Sequence, residues 1–165
     1  MLSAINACLA GNQPDFSAGH RCPQRLLSLR SAMQRVDNQL FGGAIANTLK
    51  EAGITVDINW SASKDSHLLY KGGNIVIMRI CRGTGNHDDK EVGGVFCHCE
   101  YCCSLLLVVH EVLHLAVLAM RLEMRLTDTQ WKVYIASNPG WDEQHDHVFV
   151  QLAQHCGLHD SYNTV

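Results

Sequence analysis

The run LLLVVHEVLHLAVLAMRL, residues 105–122, constrains this chain more than any other stretch. It is long enough to span a bilayer. Three ionisable side chains stand near its centre, however, and no second apolar run of similar length accompanies it. A helix buried in a protein core is therefore expected, with no membrane partner. Such a helix carries a difficulty of its own, because burying His110, Glu111 and His114 costs several kcal/mol unless each finds a partner. Either the three polar groups pair with one another and with the backbone, or they hold a metal.

His110 and His114 are four residues apart, which stacks their imidazoles on one helical face within reach of a single ion. Glu111 is turned away from that coordination sphere but can touch a water bound to the ion. HExxH read this way is a zinc site with a general base attached: two ligands, an activated water and a carboxylate that takes its proton. Zinc brings the pKa of that water down to about 7, and Glu111 would then pass the proton to a leaving amine. The competing reading is a pair of core histidines satisfied by backbone carbonyls. Three polar groups on one apolar face favour the metal.

A catalytic zinc needs a third protein ligand and an open position. Downstream, Asp142, Glu143, His145 and His147 are the candidates. The segment DEQHDHVFVQLAQHCG reads as a helix whose apolar stripe is Val148, Phe149, Leu152, Ala153 and Cys156. Counting back four from Phe149 puts His145 in the first turn above the core. His147 shares its side with Gln151 and Gln154, a solvated face. Helical phase thus favours His145, with His147 as its rival. Asp146 would orient a ligand or favour the helix N-terminus through its charge.

The rest of the chain predicts an α+β domain. Residues 1–20 are rich in Gly, Asn, Pro and Ser without a sustained period, so a poorly ordered leader is expected ahead of a single domain over residues 21–165. From Pro23 the pattern turns helical, with Leu26, Leu27, Leu29, Met33 and Val36 near one face. A helix continues or restarts at NQLFGGAIANTLKEAG, with Gly53 as its terminal cap. Ile54, Val56, Ile58 and Trp60 alternate with polar residues, the period of a half-buried strand. After the Gly72-Gly73 turn, residues 74–81 read as a second strand, and IVIM, apolar on both faces, marks it as an inner one. Residues 83–94 form a polar, Gly-rich loop. The long helix is expected over residues 103–126, followed by an irregular crossing with at most a short strand at 132–135.

At these motifs the sequence resembles the SprT-like zinc metalloproteases. HEVLH, followed at a distance by HDHVF and LAQHCG, matches that family's HExxH, its later histidine with Gly or Asp after it, the aromatic four residues on, and a closing helix ending in Gly. NQLFGGAI, INWSAS and GGNIVIMRIC sit where the family has its first helix, an edge strand with a Trp-Ser pair, and a second strand. The resemblance covers residues 38–157. It implies a small zincin fold, a short twisted sheet packed on the HExxH helix and a C-terminal helix bearing a ligand. It further implies one zinc ion held by His110, His114 and His145, with Glu111 as the general base of peptide-bond hydrolysis. In some members the substrates are proteins crosslinked to DNA. Residues 158–165, after the matched segment, read as neither a zinc ribbon nor a basic tail, so the DNA-dependent role of those members is not expected here.

Charge and cysteine usage bound the partners. Net charge is −3, so nucleic acid finds no global basic surface, only a local series of Arg21, Arg25, Arg30 and Arg35. No secretory signal is legible in MLSAINACLAG, so the eight cysteines are expected to be reduced or metal-bound, in a cytoplasmic or nuclear protein. CHCEYCC offers Cys97, His98, Cys99, Cys102 and Cys103 for a second, structural ion, but only Cys81 is near enough in sequence to supplement them. Packed, reduced thiols are the simpler reading. Cys8, Cys22 and Cys156 have no expected chemical role, and His20, His67, His87, His155 and His159 read as surface residues. A protein or peptide substrate is the expected partner. Two rival functions remain. One is a non-catalytic, zinc-stabilised binding module closed by a fourth ligand such as His147. The other is a zinc endoribonuclease of the YbeY-like kind, whose third histidine should fall where this chain has Leu118, Ala119 and Met120.

Overall fold

A computed structural model describes residues 1–16, 26–63, 65–82, 91–92, 95–96, 99–138, 140 and 144–158. Arg21, Cys22, Pro23, Arg25, Cys97, His98, Asp142 and Glu143 lie outside them, as do His20, His87 and His159. Among the described residues the architecture is α+β, with six helices around a three-stranded mixed sheet and a two-residue ladder.

The long apolar run is α4, Glu100–Met124, and it is the axis of the core. Its 25 residues extend about 37 Å at 1.5 Å per residue. By length and composition it could cross a membrane, yet 72% of its most apolar window is buried inside the protein. Val108, Val109, Val112, Leu113, Ala116, Ala119 and Met120 are wholly enclosed. Burial on several faces follows from what surrounds the helix: α2, Leu29–Phe41, and α3, Ala44–Glu51, on one side, and α6, His147–His155, and the sheet on others.

The sheet has the order β1 (Thr55–Trp60), β3 (Ile75–Ile80), β2 (His67–Leu69). β1 runs parallel to β3 with Thr55 opposite Ile75, and β2 runs antiparallel with Leu68 opposite Met78. β3 is the inner strand, as its apolar run predicts. Its burial nevertheless alternates: Val76, Met78 and Ile80 are enclosed, while Ile75 is half exposed. Only one face meets α4, so position in the sheet, rather than burial of both faces, is what the run encodes. β2 escapes sequence reading because three residues are too few to alternate.

Several expectations need correction. Residues 1–20, read as a poorly ordered leader, contain helix α1, Leu2–Ala10, which packs on α2 and α6. Met1, Ile5 and Cys8 are buried there, a stripe that the apolar residues Leu2, Ala7 and Ala10 on the exposed side obscure in the sequence. The first long helix begins at Leu29 with Ser28 as its N-cap, leaving Leu26 outside it and half exposed. The crossing expected to be irregular is a helix, α5, Asp128–Ser137. β-branched and aromatic residues at 133–135 argue for a strand, but a capping box wins locally. The Thr127 hydroxyl accepts from the Gln130 N–H, and the Gln130 side chain accepts from the Thr127 N–H. Of the stretch read as a polar loop, residues 83–90, 93 and 94 lie outside the described residues, and Glu91–Val92 form β4, which pairs antiparallel with β5 (Val95–Phe96) just beyond it.

Candidate metal centre

Helical spacing on α4 brings His110 and His114 together, with their Nε2 atoms 3.2 Å apart. His145 joins them, its ring centroid 5.7 Å from that of His110 and 5.0 Å from that of His114. Each imidazole offers one nitrogen, and the three nitrogens lie within 4.8 Å of one another, an arrangement able to hold a metal ion. Among the described residues this is the one such group of three or more His, Cys, Asp or Glu side chains.

His145 reaches the site by a route that differs from the expected one. It does not sit in the first turn of α6. The helix starts at His147, Asp146 is its N-cap, and His145 immediately precedes the cap. The Asp146 carboxylate accepts from the Phe149 N–H at 2.9 Å, which fixes the entry angle of the chain. Phe149, fully buried, then serves as the floor of the cluster. Its ring stacks on His114 at 4.2 Å and 23° and meets His110 and His145 at 5.2 and 4.7 Å. His147 points elsewhere, with its Nε2 3.3 Å from the Tyr134 hydroxyl. Burial and the nearby Asp146 charge raise the Tyr134 phenol above its ordinary value.

Glu111 is 3% exposed, and its Oε2 has no hydrogen-bond partner. Burial pushes its carboxyl up to about 8, so without a neighbouring cation it holds its proton near neutrality. His110 moves the opposite way. Burial, together with the nearby His145, brings it down to about 4, leaving it neutral at physiological pH, the form in which an imidazole ligates a metal. A cation among the histidines would favour the ionised carboxylate and supply the charge that Glu111 lacks.

These groups open onto a cleft of about 640 Å³. One wall is a face of α4: His110, Glu111, His114, Val117, Leu118 and Arg121. The opposite wall is Ser66 with the edge strand β2, and Trp131 of α5 and residues 144–146 complete it. Arg121 pairs with Asp128 and lies over the Trp131 ring at 5.8 Å. His67, set aside in the sequence as a surface residue, is exposed and lines this cleft. Gly140 is a second residue whose part is not legible from pattern. A Cβ there would run into the backbone of His145 and Asp146, so only glycine lets the two segments touch. The sequence reads this stretch only as part of an irregular crossing, which says nothing of what Gly140 packs against.

Among the described residues, Cys99, Cys102 and Cys103 do not join this centre. Cys99 is the N-cap of α4, and Cys102 and Cys103 are buried in its first turn. Comparison with models of known families, with curated proteins and with solved structures returns no match.

Proposed function

We propose that the chain is a zinc-dependent endopeptidase on a small zincin fold of the SprT-like kind, with zinc held by His110, His114 and His145. The observation that carries the reading is the convergence of three imidazoles beside a buried glutamate in one open cleft. The Nε2 separation of 3.2 Å between His110 and His114 is close to the edge of about 3.3 Å of a tetrahedron with Zn–N near 2.05 Å. Three neutral-nitrogen donors with room left for solvent are the donor set of a catalytic rather than a closed site. His147, the residue that could close it, is engaged with Tyr134 instead, which favours the enzyme over the binding module.

Zinc in this position supplies Lewis acidity and brings the pKa of water to about 7. Glu111 takes the proton of the attacking water and delivers it to the leaving amine, a role open to a carboxylate one residue from a ligand. Phe149 holds the imidazoles in place, and the Asp146 cap holds His145. β2, the edge of the described sheet along the cleft, is placed to receive an extended peptide as an added strand. DNA-associated proteins are one substrate class to assay, although the net charge of −3 lends nucleic acid no support.

Metal analysis of the purified protein with a peptidase assay, run with and without DNA, tests the reading. Zinc at one equivalent, hydrolysis abolished by a chelator, and Glu111→Gln retaining zinc without hydrolysis are expected. A Glu111→Gln protein that binds zinc and hydrolyses peptides normally would remove Glu111 from the mechanism.

A further inference from the structure

The first turn of α4 carries a pair of thiols that the metal centre does not use. Cys99 and Cys102 have the CxxC spacing, and their Sγ atoms stand 3.3 Å apart. That is close enough for side-chain rotation to bring them towards an S–S bond of about 2.05 Å, because the N-cap side chain of Cys99 folds back over the first turn onto Cys102. The two differ in access. Cys102 is buried, at 8% exposure, whereas Cys99 at the N-cap is half-buried. The Cys99 sulfur accepts a hydrogen bond from the Cys102 N–H at 3.4 Å, so a thiolate there meets both a backbone donor and the positive end of a 25-residue helix. A more exposed cysteine paired at this distance with an enclosed one is the arrangement of an attacking and a resolving cysteine.

We infer that Cys99 and Cys102 form a redox-active dithiol that exchanges with small disulfides such as oxidised glutathione. The Cys99 thiolate attacks one sulfur of the oxidant, whose S–S bond breaks and releases one glutathione thiolate. The Cys102 thiolate then attacks the Cys99 sulfur of the mixed disulfide and releases the second. Two protein thiols are oxidised, one disulfide is reduced to two glutathione thiols, and these take up the two protons shed by the cysteines. The inference is independent of what the histidine cluster hydrolyses.

The test uses the full chain in buffers of graded reduced-to-oxidised glutathione ratio, quenched in acid, alkylated and mapped by peptide mass spectrometry. The expected result is joint loss of two alkylatable thiols along one titration curve, mapped to a Cys99–Cys102 bridge. Cys102→Ser should accumulate a glutathione adduct on Cys99, and Cys99→Ser should leave Cys102 alkylatable throughout. Wild-type mapping needs no variant to fold. Three results would overturn the inference: a pair that stays reduced at every ratio, a bridge mapped to Cys97 or Cys103 instead, or thiols alkylated only after a chelator strips a metal from them.

Discussion

Glu111 and His110 are displaced in opposite senses, and together they dictate an unusual pH profile for the metal-free protein. His110 has an ordinary value of 6.5 and is brought down to about 4 in the fold. Between those limits the unfolded chain binds a proton that the folded one does not, so stability rises with pH. Glu111 has an ordinary value of 4.5 and is raised to about 8. Between those limits the folded state keeps a proton that the unfolded chain has lost, so stability falls with pH. Each slope is about 1.4 kcal/mol per pH unit. From 4.5 to 6.5 the two cancel, and stability is level with respect to this pair. From 6.5 to 8 only Glu111 titrates, and about 2 kcal/mol is lost. Glu111→Gln removes that second limb: stability should climb by about 3 kcal/mol between 4 and 6.5 and stay level above. Urea unfolding followed by tryptophan fluorescence, in chelator, at half-unit pH steps measures both curves. The difference between wild type and variant isolates Glu111 from every other titrating group. If the wild-type decline above pH 6.5 persists undiminished in Glu111→Gln, the account of Glu111 as a buried, proton-holding carboxyl is wrong.

Four further outcomes are expected. His114→Ala and His145→Ala should each lose stoichiometric zinc by elemental analysis while keeping the far-UV signature of α4. Phe149→Ala should destabilise the fold by about 3–5 kcal/mol in denaturant titration, the usual cost of truncating an enclosed aromatic, and weaken metal binding because the imidazoles lose their floor. Gly140→Ala should weaken metal binding, measured by competition with a chromogenic chelator, with far-UV dichroism unchanged, since the added methyl displaces the segment carrying His145. Thr127→Ala should cost about 1 kcal/mol through loss of the α5 capping box, read as a shifted urea midpoint.

What the sequence discloses about this chain follows the strength of its periodicities. The HExxH pair is legible because an apolar helix advertises itself and four-residue spacing fixes which side chains meet. His145 is legible as a neighbour of Phe149, though the pairing arises from a capped helix start rather than a shared helical face. The capping pattern at Asp146 was the better clue. α5 is hidden because Val133, Tyr134 and Ile135 carry strand propensity, and only the Thr127–Gln130 box opposes it. α1 is hidden because its apolar residues are not confined to one face, Leu2 being half exposed while Ile5 and Cys8 are buried, and β2 is hidden for want of length. Gly140 abuts the backbone of His145 and Asp146, and His67 lines the cleft, through contacts between separate segments that no local pattern contains.

One further consequence follows from where the three imidazoles sit along the chain. His114 and His145 bracket residues 115–144, and α5, within that span, buries none of its side chains. An ion gripping both histidines would pin the ends of this excursion as a clip does. Confining a loop of this length is worth about 3–4 kcal/mol in the chain-entropy picture. Resistance of Lys132, exposed on α5, to trypsin would therefore report occupancy of a centre to which that lysine contributes no ligand.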